Sequence, residues 1–169
     1  MIAARPTIVR RPRVFRATLV LFLATLSLAA LALGGPAFAA PDARLAIEIW
    51  KSPTCGCCQK WADYLTSNGF SVSARNTTQG MLNRIKRQAG IEPKLASCHT
   101  GLIEGYTIEG HVPADDIKRL LAERPDAVGL SVPDMPLGSP GMEQPDGKSE
   151  PYDVLLVKKD GSTEIFAKH

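Results

Sequence analysis

Three of the chain's four cysteines fall within four residues, in Ser52-Pro53-Thr54-Cys55-Gly56-Cys57-Cys58-Gln59-Lys60-Trp61. The segment before them, Leu45 to Trp50, is an apolar run that reads as a strand. The segment after them has apolar residues at helical spacing (Cys58, Trp61, Ala62, Leu65) and stops at Asn68-Gly69. The cysteines therefore lie where a strand turns into the first turn of a helix. A helix start carries unpaired N–H groups and a partial positive charge, both of which favour thiolate over thiol. Sulfurs placed there are set up for metal or redox chemistry.

The rest of the chain narrows the fold. Phe70 to Ala74 alternates as a short strand does, and Thr77 or Thr78 caps a helix with apolar positions Met81, Leu82, Ile85 and Ala89, ending at Gly90. Ile91 to Thr100 reads as irregular and contains Cys98 and His99, while Gly101 to Gly110 reads as a hairpin or two short strands. His111-Val112-Pro113 opens a further helix with Asp115 and Asp116 in its first turn and Ile117, Leu120 and Leu121 on one face, closed by Arg124-Pro125. Val132 to Pro151 holds five prolines and predicts a long loop, and Tyr152 to Phe166 predicts a terminal hairpin turning at Lys158 to Ser162. Strand, helix, strand, helix, then later strands, with a dithiol at a helix start, predicts an α/β, thioredoxin-like two-layer fold with a C-terminal hairpin and a long Pro/Gly loop.

Residues 1–40 have a different composition. Five arginines precede an uncharged apolar run from Ala17 to Leu33, followed by Gly34-Gly35-Pro36 and Ala37-Phe38-Ala39. This is the pattern of an export signal with cleavage after Ala39, leaving residues 41–169 as one metal-binding domain and predicting a periplasmic location. Left uncleaved, the run would be the chain's one membrane contact. The signal also carries the basic charge: residues 41–169 hold 15 basic and 17 acidic residues, a net charge of −2. Nothing in that balance suggests a nucleic-acid partner.

Cys55 and Cys58 have the spacing of a redox dithiol, so a thiol-disulfide oxidoreductase acting through them is one reading. Two departures weigh against it. Cys57 sits inside the dithiol, where it would attack mixed disulfides out of turn. In thioredoxin-like folds the segment before the third strand usually carries a cis-proline against the dithiol, and here that place holds Ser97-Cys98-His99-Thr100. Cys55, Cys57, Cys58 and Cys98, with His99 and His111, form instead a soft donor set that fits Cu(I) or Zn(II) and fits magnesium or calcium poorly. Adjacent helical side chains point about 100° apart, which disfavours Cys57 and Cys58 on one tetrahedral zinc. Bridging thiolates suit a small cluster of Cu(I) ions better, so zinc is the lesser candidate. His111 precedes a helix start, whose positive end keeps its ring neutral.

The remaining candidates carry less. Met135 and Met142 could donate thioether sulfur, but methionines in such a loop more often fill space; Met81 has core spacing, and His169 reads as a solvated terminus. The even cysteine count of an exported chain also permits two structural disulfides. A bridge between neighbouring Cys57 and Cys58 would be strained, and a domain of this size does not need such staples. No pattern for a catalytic residue of a hydrolase or nuclease is present.

Lys51 to Cys58, Ala96-Ser97-Cys98-His99-Thr100, Glu109-Gly110-His111-Val112-Pro113-Ala114 and Pro140-Gly141-Met142-Glu143 together resemble the domain-of-unknown-function family 411, which includes the CopG-type copper-resistance proteins. The similarity runs from about Ala46 to Phe166. The resemblance implies an exported, thioredoxin-like metal-binding protein working in copper handling alongside copper-efflux or oxidase components. It implies a copper site on Cys55, Cys57, Cys58 and Cys98 with nearby histidine.

Overall fold

The computed structural model describes residues 45–169. The expected signal segment and its cleavage point lie outside the described residues. Seven strands form one mixed sheet: β1 (Ala46–Lys51), β2 (Ser71–Asn76), β3 (His99–Ile103), β4 (Tyr106–Glu109), β5 (Ala127–Ser131), β6 (Asp153–Lys158) and β7 (Thr163–Lys168). Three helices accompany it, α1 (Gly56–Ser67), α2 (Gln79–Gln88) and α3 (Ala114–Glu123), with a short 3-10 turn at Pro93–Leu95. The strand order is β2-β1-β3-β4-β5-β6-β7. β1 pairs parallel with β2 across α1, and β4 parallel with β5 across α3; all other neighbours are antiparallel. Among the described residues no helix is long and apolar enough to cross a membrane.

The alternation of β6 shows how the sheet divides its two faces. Val154 and Leu156 join the main core with Ile47, Ile49, Ile108 and Leu130, under Trp61, Ala62 and Leu65 of α1 and Ile117 and Leu120 of α3. Leu155 and Val157 point the other way, to a smaller cluster with Ile91 and Leu95. β3 divides in the same manner: Gly101 lies against Ile47, while Thr100 receives Lys86 of α2. Thus α2 stands on the face opposite α1 and α3.

Local chemistry accounts for the element ends. Thr78 caps α2 by accepting the Met81 N–H at 3.3 Å, and Cys55 does the same for α1 through its sulfur. α3 ends on Arg124 in the left-handed region, whose N–H returns to the Leu120 carbonyl at 2.9 Å. The long loop from Val132 to Tyr152 contains no helix or strand, and the terminal hairpin turns at Gly161, as expected.

Several expectations need correction. β5 received no assignment in the sequence because Ala-Val-Gly-Leu-Ser, buried at four of its five positions, shows no alternation. His99 and Thr100 are not irregular but open β3. Met81 is 45% exposed rather than core, since α2 buries Leu82 and Lys86 instead. His169 is exposed, as expected, although its Nε2 lies 2.7 Å from Asp116 and its ring stacks on Tyr152.

Gly110 is the tightest point next to the site, at φ +74° with space for a Cβ only 2.3 Å from the Val132 carbonyl oxygen and 2.6 Å from Ser97 Cβ. Gly110→Ala is expected to cost about 3 kcal/mol, the sum of a left-handed backbone and a clash with main chain. A shift in the urea midpoint at unchanged slope measures it; a shift within the scatter of surface substitutions would show that the turn relaxes freely.

Candidate metal centre

The register of β1 on β3 assembles the site. Lys51 pairs with His99, so the chain leaving β1 and the chain entering β3 meet at one end of the sheet. Cys55, Cys57 and Cys58 follow directly after β1, and Cys98 directly before His99. Ser52 accepts the Cys55 N–H at 3.2 Å, turning the chain back so that Cys55 becomes the N-cap of α1, its Sγ 3.3 Å from the Cys58 N–H. Cys57 and Cys58 then sit in the first helical turn, as the sequence predicts.

Cys55 and Cys58 are joined as a disulfide, while Cys57 and Cys98 are free. Cys57 Sγ lies 3.5 Å from Cys55 Sγ and 3.8 Å from Cys98 Sγ. Cys98 Sγ in turn lies 3.3 Å from His99 Nδ1 and 3.2 Å from His111 Nε2. The ligating atoms of Cys55, Cys57, Cys58 and Cys98 all fall within 4.8 Å of one another, as do those of Cys98, His99 and His111. All six sequence candidates are thus brought together, in two groups that share Cys98. Two sulfurs on one tetrahedral ion at 2.3 Å stand about 3.8 Å apart, and a sulfur and an imidazole nitrogen about 3.5 Å apart. The Cys57–Cys98, Cys98–His99 and Cys98–His111 spacings fit such an ion to within a few tenths of an ångström, whereas Cys55 and Cys58, bonded to each other, become thiolate donors only when the disulfide is reduced.

Both imidazoles are oriented for donation. His111 Nδ1 faces the Pro140 carbonyl at 2.8 Å, and only a protonated nitrogen can do so; the lone pair is therefore on Nε2, which faces Cys98. His99 is fully buried between Trp61, at 4.3 Å between ring centroids, and His111, at 5.0 Å. Its Nε2 is the one buried side-chain polar atom among the described residues without a hydrogen bond, and its Nδ1 faces Cys98. Burial holds both histidines below their usual pKa, and for His99 the nearby His111, Lys86 and Lys51 act in the same direction. Burial and the neighbouring Cys57 push the Cys98 thiol up to about 12, so without a metal it is a neutral thiol.

Some residues around the site gave no chemical signal in sequence. Trp61 reads as an ordinary core position, yet its indole N–H donates to the Val112 carbonyl at 2.9 Å while its ring supports His99. Gly141 brings the long loop onto the start of α1: a Cβ there would lie 2.9 Å from the Cys57 carbonyl and 2.8 Å from the Trp61 nitrogen. That contact seats the neighbouring Pro140 carbonyl on His111. The sequence marks this segment as a long Pro/Gly loop, and the Pro140 to Glu143 resemblance adds the stretch that contains Gly141. Met135 is 46% exposed and Met142 half-buried.

Residues 95–142 match the family described as protein of unknown function, DUF411. Among solved structures, "Copper resistance protein copG- Form 1" superposes with a TM-score of 0.69 at 40% identity, covering 75% of this chain and 98% of that one. "Copper resistance protein copG- Form 2" does so with a TM-score of 0.68 at 40% identity, covering 73% and 97%. No curated protein matches. The fold and site define a mixed α/β protein with a cysteine-histidine cluster; the chain belongs to the DUF411 family of CopG-type proteins.

The buried histidines set a pH dependence. The unfolded chain takes up their protons near pH 6.5 and the folded chain does not, so their contribution to stability is present above that value and lost as pH falls below it. In the metal-free protein, NMR of the His99 ring is expected to report a neutral imidazole at pH 5.5. A titration near 6.5 would contradict the buried placement.

Proposed function

We propose that this chain is an exported, periplasmic copper-binding protein that holds Cu(I) on thiolates and serves copper resistance. Its fold, on this reading, is thioredoxin-like, with the redox motif turned to metal handling. The observation that carries the reading is the convergence of three other sulfurs and two imidazole nitrogens on Cys98. Soft donors of this kind select Cu(I), with zinc the lesser candidate. The 40% identity to structures titled copper resistance protein supports copper. Cys55, Cys57, Cys58 and Cys98 are the proposed core ligands, with His99 and His111 completing the coordination. Because thiolates bridge Cu(I) ions and Cys98 belongs to both donor groups, a multinuclear cluster suits the site better than one ion.

The disulfide adds a redox side to the proposal. Reducing Cys55–Cys58 takes up two electrons and two protons and releases two more donors. In reverse, the dithiol passes two electrons to two Cu(II) ions, giving two Cu(I), one disulfide and two protons. Copper efflux or oxidase components of the periplasm are the partners such chemistry would serve. The second reading, a thiol-disulfide oxidoreductase acting on proteins through Cys55 and Cys58, is favoured by that same bridge.

Cys98→Ser separates the two. The copper reading expects Cu(I) affinity, measured against a competing chelator, to fall by roughly 100-fold or more, beyond the 10–100-fold typical of outer-shell changes. The exchanger reading expects intact reduction of a test disulfide and little change in copper. An unchanged Cu(I) affinity in Cys98→Ser would end the copper assignment.

A further inference from the structure

Lys86 and Glu109 lie outside the donor set and are 5% and 0% exposed. The Glu109 carboxylate accepts three hydrogen bonds: from Lys86 Nζ at 2.5 Å, from the Ser97 backbone N–H at 2.7 Å, and from Thr100 Oγ1 at 2.8 Å. Lys86 Nζ also donates to Thr100 Oγ1 at 3.0 Å. The group therefore grips the chain on both sides of Cys98-His99, at Ser97 and Thr100. It does so from a residue two positions before His111 on the adjoining strand.

Energetics alone do not account for such a pair. Burying two charges costs about as much as their attraction returns, and apolar residues of like volume often fill such space as well or better. An apolar side chain cannot, however, accept the Ser97 N–H or the Thr100 hydroxyl. Those two bonds set where the chain leaves the irregular segment at Cys98 and enters β3 at His99, hence the distance of Cys98 from His111. We infer that Glu109, neutralised by Lys86, is a positioning residue that clamps Cys98 and His99 of β3 to His111 beyond β4, holding both donor groups of the centre in register. The inference rests on the copper reading of that centre. It assigns Lys86, Glu109 and Thr100 no contact with the metal.

Two double variants of the chain test it. Lys86→Met/Glu109→Gln removes both charges yet keeps an oxygen that accepts from the Ser97 N–H and an amide N–H that donates to the Thr100 hydroxyl, which Lys86 no longer occupies. Lys86→Met/Glu109→Leu removes the charges and the acceptor. The clamp expects the first to bind Cu(I) within about threefold of wild type and the second 10–100-fold more weakly, as for other groups that orient ligands. It expects both to melt cooperatively. Equal affinity in the Leu variant and wild type would overturn the inference, as would equal weakening in both variants, which would make charge rather than geometry the cause. If the Leu variant does not melt cooperatively, Thr100→Val takes its place: weaker Cu(I) binding at a wild-type melting midpoint supports the clamp, and unchanged binding overturns it.

Amide exchange across Ser97 to His99 in the reduced, metal-free chain gives a readout independent of copper. Exchange faster than wild type is expected in the Leu variant, or in Thr100→Val where that replaces it, and wild-type exchange in the Gln variant. Wild-type protein that bound no Cu(I) would remove the copper reading, and the exchange comparison would then decide the clamp alone.

Discussion

The site depends on one pairing, that of β1 with β3. With Lys51 opposite His99, two distant chain segments emerge side by side at one end of the sheet, and Cys57 and Cys98, 41 residues apart, come within 3.8 Å. A shift of that register by one residue would turn the side chains of β3 to the opposite faces of the sheet. Ile47 and Ile49 on β1 oppose such a shift because they are buried under α1 and α3. The hydrophobic core thus acts on the site through register: it fixes which sulfur faces which nitrogen.

Around that pairing, each donor is held by an ordinary structural device. The α1 cap places Cys55, the first helical turn places Cys57 and Cys58, and the Pro140 carbonyl selects the tautomer of His111. His99 is held by packing, between Trp61 and His111, with one nitrogen lacking a partner. A buried imidazole nitrogen left unpaired costs free energy, about 1–3 kcal/mol for a neutral group. Sites of chemistry are where such costs are retained. The neutral state of both rings follows from burial and suits them to bind metal without first losing a proton.

Much of this was legible in the sequence, and the exceptions have physical causes. The cysteine motif was readable because strand, turn and helix signals adjoin it without a gap, and all six candidate donors converge. β5 was not readable, since a strand buried on both faces loses the alternation that identifies one. Met81 misled because a four-residue apolar pattern fits more than one helix face, and α2 turns Lys86 inward to meet Glu109. That buried ion pair joins residues 23 apart on different elements, so no local pattern announces it. The seat of Gly141 on α1 depends likewise on long-range packing, and composition alone marks the segment only as a loop.

Counting copper on the reduced wild-type protein decides whether this centre collects Cu(I). Under anaerobic conditions, with a chelator competing for the metal, the account predicts two or more tightly held Cu(I) ions per chain, bridged by the shared thiolates. Copper held no more tightly than by free thiols would contradict it, and would leave the Cys55–Cys58 couple to be explained by disulfide exchange.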